Sequence, residues 1–158
     1  MILIQGGDHR AFEKIYERYA NRLNGFFYKM LWSDRELAQD FVQDLFARII
    51  DRPELYKKGY DVKPWLFRIA ANMCKNAYRK RGFEDAYREQ LEAYQITTPT
   101  VEQKIDENIQ SDMLHKALEQ LDEDRKTMFL LRYQQGLSLK EIADIFELPI
   151  GTIKSRIF

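Results

Sequence analysis

Residues 151–156 read Gly-Thr-Ile-Lys-Ser-Arg, a run with donors and positive charge and no carboxylate. Set on a helix, Lys154 reaches guanine acceptors or a phosphate, and Thr152 touches a thymine methyl or a phosphate. Arg156 grips the backbone from the flank, while Gly151 and Ser155 are small enough to let a duplex approach. That chemistry is duplex recognition. A second set lies upstream, where Tyr60, Lys63, Trp65, Arg68 and Asn72 combine aromatic faces, cations and an amide. Aromatic stacking contributes about 1 to 3 kcal/mol per unstacked base, so this set suits an opened strand. Trp65 also fits an apolar stripe with Ile69, as a core residue would. Arg79, Lys80 and Arg81 follow as a phosphate-gripping cluster, and cations there also complement a helix C-terminus. A third set, Asp40, Gln43 and Asp44, falls at i, i+3 and i+4 on one helical face. Two carboxylates and an amide can accept hydrogen bonds from Arg or Lys on a partner helix; a plain solvated face has the same composition.

Bond-breaking chemistry finds no comparable set. His9 and His115 are far apart and in no metal-ligand spacing, no glycine loop cradles phosphate, and Cys74 is the only cysteine. The expectation is a binding protein with no catalytic residue, metal or cofactor, in a reducing, cytoplasmic compartment. No apolar run is long enough to cross a bilayer, and Met1–Arg10 has neither a basic head nor a hydrophobic signal core. Membrane insertion is not expected.

The formal net charge of zero argues against a nucleic-acid binder until the charges are placed along the chain. Residues 51–81 hold nine bases against three acids, and residues 82–124 hold twelve acids against Arg88, Lys104 and Lys116. The chain turns basic again afterwards. Two basic blocks about an acidic connector fit two nucleic-acid contacts; ordinary helix surface accounts for the same charges equally well.

The elements that must position these sets are helical. Phe12, Ile15, Tyr16, Tyr19, Leu23, Phe26, Phe27 and Met30 repeat at three-and-four spacing, which predicts a long amphipathic helix over 11–30. Ser33 with Glu36 reads as a capping box for a second helix to about Ile50. Arg52-Pro53 and Lys58-Gly59 then impose a loop of about a dozen residues. A third helix carries Trp65, Leu66, Ile69, Ala70, Met73 and Ala77 to a stop at Arg81-Gly82. Turn chemistry at 95–100 places a linker over 82–108. Beyond it, Met113, Leu114, Ala117 and Leu121 form a stripe, and Asp122 or Asp124 caps a helix ending at Gly136. Ser138 with Glu141 caps a short helix to Phe146, Glu147-Leu148-Pro149 turns the chain, and a last helix turns Ile150, Ile153 and Ile157 inward. Two short helices with a tight turn and Ala143 at the crossing make a helix-turn-helix. The fold class is all-α: two small helical domains joined by a linker.

The run Gly136-Leu137-Ser138-Leu139-Lys140-Glu141-Ile142-Ala143, followed by Pro149-Ile150-Gly151-Thr152-Ile153-Lys154-Ser155-Arg156, resembles the C-terminal domain of bacterial sigma factors. Ala38–Phe46 is similar to the sigma helix that docks on the polymerase clamp, and Trp65–Asn72 to the helix that meets the melted minus-ten element. The resemblance spans nearly the whole chain and is nearest to the compact extracytoplasmic-function group of the sigma-70 family. It implies a region 2-like domain over 1–81, an acidic linker over 82–108 and a region 4-like domain over 109–158. It also implies minus-ten contacts by Tyr60, Lys63, Trp65, Arg68, Asn72, Arg79, Lys80 and Arg81, and minus-35 contacts by Gly151, Thr152, Lys154, Ser155 and Arg156. Asp40, Gln43 and Asp44 then face core RNA polymerase, and an anti-sigma protein is an implied partner. Relatives continue beyond Phe158 through further basic residues, so the recognition helix reads as truncated and duplex binding as weakened. A regulator that shares the helix-turn-helix without engaging polymerase is the second reading, separated from the first by the Asp40 face.

Overall fold

The structure is a computed structural model that describes residues 1–57, 59–92 and 117–158. Its elements are α1 (Ile2–Gln5), α2 (His9–Met30), α3 (Arg35–Asp51), a 3-10 turn (Pro53–Leu55) and α4 (Val62–Glu92). Then come α5 (Glu123–Phe129), which runs on as a π turn (Leu130–Gln134), α6 (Leu139–Phe146) and α7 (Ile150–Ile157). No strand occurs among the described residues, and none of their helices is long and apolar enough to cross a membrane. Residues 93–116 lie outside the described residues; they include the expected linker from 93 to 108, the expected stripe residues Met113 and Leu114, and His115.

Asp8 opens α2 by accepting from the Ala11 amide at 3.1 Å, and Tyr19, Leu23, Phe26, Phe27 and Met30 form its buried face. The capping box expected at Ser33 does not form. Trp32 and Ser33 both take left-handed backbone, φ +51° and +58°, so the chain first reaches cap geometry at Asp34, which accepts from the Leu37 amide at 3.0 Å. From there α3 buries Ala38, Val42, Leu45, Phe46 and Ile49.

The expected stop of the third helix at Gly82 is also overturned, since α4 continues to Glu92. Lys80–Glu84 and Arg81–Asp85 pairs, 3.7 and 3.8 Å long at i, i+4, bridge the glycine and partly offset its helix penalty of about 1 kcal/mol. In the second half of the chain Leu118, rather than the expected Ala117, takes the buried position. Asp122 caps α5 through the Arg125 amide at 2.9 Å.

The two domains are docked on each other through one continuous core. Phe26, Phe27, Leu66 and Phe67 from the first share it with Met128, Leu131, Ile142 and Ile153 from the second. The π turn matters here because its extra residue per turn brings Gln135, only 2 % exposed, against α2. Arg22 donates from Nε to the Gln135 side-chain oxygen at 3.3 Å and from Nη2 to the Gln135 carbonyl at 3.2 Å. Gly25 of α2 lies beside the same turn: a Cβ there would meet the end of the exposed Gln134 side chain at 3.3 Å. Gly136, with φ +65°, then ends the turn and lets the Leu137 amide reach back to the Leu131 carbonyl at 3.0 Å. Gln135→Ala removes the only buried side-chain acceptor in this contact, and about 1 to 3 kcal/mol of unfolding free energy should go with it. Urea denaturation measures this, and an unchanged midpoint would show that Arg22 finds equivalent partners elsewhere.

Candidate nucleic-acid interface

The helix-turn-helix is built by local chemistry. Ser138 Oγ accepts from the Glu141 amide at 3.2 Å while Glu141 accepts from the Ser138 amide at 2.6 Å, the reciprocal capping box expected for α6. Glu147 ends that helix in left-handed backbone with φ +56°, and the Pro149 carbonyl starts α7 by accepting from the Thr152 and Ile153 amides. Ile142, Ala143 and Ile153 face the core. Ile150, expected to turn inward, is 46 % exposed, because it stands in the first turn of α7 before the helix reaches the packed seam.

The outer face of α7 presents Gly151, Lys154, Ser155 and Arg156, with Thr152 half-buried. These side chains are unequal. Ser155 spends its hydroxyl proton on the Thr152 carbonyl at 3.0 Å, and Arg156 reaches back to Asp124 at 3.6 Å. Lys154 makes no ion pair with the described residues. Arg156, its neighbour on this face, is the cation that does.

The upstream set divides. Tyr60 stands 66 % exposed on the loop after the 3-10 turn. Trp65 is half-buried and meets the Tyr56 ring edge-on at 5.2 Å, so it forms a wall and not an open platform; its neighbour Phe67 is fully buried. Behind that wall lies a cleft of about 200 Å³ lined by Arg48, Arg52, Leu55, Trp65, Asn72 and Asn76, among others. Arg48, Arg52 and Asn76 are not among the site residues that the sequence suggests. The visible signal is the i, i+4 spacing of Asn72 with Asn76, which puts that pair on one face of α4, while Arg52 is the residue that caps the end of α3.

On the other side of α4 the C-terminal domain covers part of the set. Arg68 is ion-paired with Glu147, the turn residue of the helix-turn-helix. Burial lowers the affinity of Lys63 for its proton, Arg22 lowers it further, and Glu141 acts in the opposite direction. Asn72 lines both the strand-side cleft and a second crevice between the domains, which also holds Lys75 and Glu123. Burial, and then Asp124, raise the Glu123 carboxyl, while Lys75 opposes that rise. Further along α4, just past its middle, Arg79 is exposed. Lys80 is paired with Glu84, and Arg81 is paired with Asp85 and stacked over Trp32 at 4.2 Å. On α3, Asp40, Gln43 and Asp44 project together into solvent, and neither carboxylate makes an ion pair with the described residues. No group of three or more His, Cys, Asp or Glu side chains capable of holding a metal occurs among the described residues, and His9 is exposed.

Residues 15–84, which carry the loop, the cleft and the α3 face, match the family model for sigma-70 region 2. Residues 111–158, which carry the helix-turn-helix, match that for sigma-70 region 4. The ECF RNA polymerase sigma-E factor of Haemophilus influenzae is 34% identical over 98% of this chain and 86% of its own length. The chain belongs to the extracytoplasmic-function sigma factors. RNA polymerase sigma-H factor of Pseudomonas aeruginosa is 31% identical, with 98% of this chain and 84% of that protein covered. Among solved structures, the sigma factor RpoE from Bartonella quintana, in complex with the anti-sigma factor NepR, superposes with a TM-score of 0.74 at 26% identity. That match covers 94% of this chain and 90% of that one. CnrH, in complex with the cytosolic domain of CnrY, shares the fold with a TM-score of 0.71 at 22% identity, covering 99% and 86%.

Two outcomes are expected for this sigma-family chain. Lys154→Ala should weaken duplex binding by about 1 to 3 kcal/mol if the side chain reads a base, or lower the salt slope by about one if it holds a phosphate; a titration with neither change removes it from the contact set. Glu147→Gln should release Arg68 and tighten binding to single-stranded DNA by a few-fold, about what an exposed ion pair of up to ~1 kcal/mol allows. Equal affinity of that variant and the parent chain would mean that Arg68 does not face the strand.

Proposed function

We propose that this chain is the promoter-directing subunit of RNA polymerase, reading an upstream minus-35 element with α7 and holding the opened minus-ten strand at the loop and cleft of its first domain. The observation that carries the reading is the pairing of two separate recognition surfaces on one neutral chain. One is a recognition helix with a free lysine. The other is an aromatic-walled cleft with two amides and two guanidinium groups at its rim. Tyr60 is exposed where it can stack on a base, the cleft admits a single unstacked base, and Asn72 and Asn76 offer amide donors and acceptors to its edge. Lys63, Arg68 and Arg79 hold phosphates. Lys80 and Arg81 join them by exchanging exposed carboxylate partners for phosphate, at a cost of well under about 1 kcal/mol each. Gly151, Thr152, Ser155 and Arg156 fit α7 against the duplex around Lys154.

In this reading residues 1–81 act as the polymerase and minus-ten domain, 82–108 as the connector and 109–158 as the minus-35 domain, in the cytoplasm and without a reaction of their own to catalyse. An anti-sigma protein is a further partner, since RpoE and CnrH are each described in complex with such a protein or with a cytosolic domain. A helix-turn-helix regulator indifferent to polymerase is not favoured, because the likeness to sigma factors extends over 98% of the chain and takes in α3.

Core polymerase engages the face of Asp40, Gln43 and Asp44, where unpaired carboxylates stand ready for basic side chains. Reconstitution with core polymerase should yield promoter-specific transcripts. The triple change of Asp40, Gln43 and Asp44 to alanine should weaken polymerase binding at least about tenfold, as expected when charge pairs at a closed interface lose one side. Intact polymerase binding by the triple variant, measured by fluorescence anisotropy, would remove the main support for this reading.

A further inference from the structure

The region after α3 has to keep the cleft open and present Tyr60, yet it supplies little of its own rigidity. It consists of a 3-10 turn with Leu55 exposed and a glycine, Gly59, at φ +98°. The restraint comes from another part of the chain. Gln5, the last residue of α1, donates from Nε2 to the carbonyl of Pro53 and to the carbonyl of Tyr56, each at 2.8 Å. A primary amide nitrogen has two hydrogens, so the donor capacity of this group is fully committed. The Pro53 carbonyl also accepts from the Tyr56 amide at 3.3 Å, so Gln5 closes the same turn from outside.

Tyr56 transmits the restraint. Its ring is buried edge-on against Trp65, and its hydroxyl donates to the carbonyl of Tyr60. The anchor is itself seated: Ile4 is buried, the Gln5 amide bonds the Met1 carbonyl at 3.0 Å, and Gly7 turns the chain into the Asp8 cap of α2. One amide is thereby linked through Tyr56 to both the cleft wall and the backbone that carries the exposed tyrosine.

We infer that Gln5 is a positioning residue for strand binding: it holds the backbone at Pro53 and Tyr56 so that the Trp65 wall and Tyr60 keep their spacing before DNA arrives. Fixing a binding loop beforehand raises affinity by removing the ordering cost at the moment of binding. The inference rests on the reading of this cleft as the strand site. It concerns a residue with no DNA contact of its own.

The test compares three variants of the full chain. Gln5→Glu keeps the shape and loses the donors, Gln5→Ala loses both, and Gln5→Lys keeps a donor-only head on a long stem. Two measurements are made: amide hydrogen exchange at Leu55 and Tyr56 without DNA, and affinity for a random-sequence single-stranded oligonucleotide beside its duplex form. Gln5→Glu and Gln5→Ala should exchange faster at these amides and bind the single strand about tenfold more weakly, with duplex affinity unchanged. Gln5→Lys should stay within about twofold of the parent chain. Trp65 fluorescence, read in a Trp32→Phe background, should change for the first two variants and not for the third. Unchanged exchange in Gln5→Glu, equal losses on both DNA forms, or failure of Gln5→Lys to rescue would each overturn the inference. If the parent chain does not bind the single strand, the strand-site reading fails, and the exchange data alone decide whether the clamp exists.

Discussion

Every functional surface of this sigma factor depends on the burial of one stripe of α4. Leu66, Phe67, Ala70, Met73 and Cys74 are all within the core, and α2, α3 and the C-terminal domain pack on them from different sides. A large apolar side chain taken fully out of water contributes about 1.5 to 3 kcal/mol, and most of this stripe qualifies. The Arg68–Glu147 pair across the same junction has side chains 46% and 73% exposed and contributes at most about 1 kcal/mol. Apolar burial therefore holds the domains together, and the ion pair selects how they are registered. Cys74 behaves as a small hydrophobe in this setting, since burial pushes its thiol well above the usual range and leaves it unreactive.

The same stripe explains why α4 can carry recognition groups on opposite sides. Asn72 borders both the cleft beside Trp65 and the crevice toward the second domain. Tyr78, whose hydroxyl donates to the Met30 carbonyl and whose phenol burial pushes up to about 12, ties the middle of α4 to the end of α2. Beyond that tie, Arg81 folds over Trp32 at the strained α2–α3 turn, where two successive non-glycine residues take left-handed backbone. The basic cluster of α4 is thus partly occupied by the protein itself.

What was legible in the sequence was local. Periodicity marked each amphipathic helix, and the Ser138–Glu141 box and the helix-turn-helix were readable because cap and turn chemistry act within a few residues. Failures occurred where distant contacts override local rules. Gly82 reads as a stop, yet ion pairs across it and the end of a long packed helix carry α4 onward. Ser33 reads as a cap, yet the tight reversal after α2 moves the cap one residue on. The partners of Gln5 lie 48 and 51 residues away and those of Arg22 lie 113 away, separations at which spacing rules are silent. Residue types and spacing suggest candidate site residues, whereas which cations are ion-paired depends on partners brought close by the fold.

That distinction bears on how a chain of zero net charge can bind a polyanion. Several cations are held by carboxylates of the same chain: Arg68 by Glu147, Arg156 by Asp124, Arg81 by Asp85. Burial, and then Arg22, depress the lysine at Lys63, and Glu141 of the capping box opposes that shift. Glu147 and Glu141 both belong to the C-terminal domain. What a polyanion meets on this chain is set by which cations its own carboxylates leave unengaged, and not by the net charge.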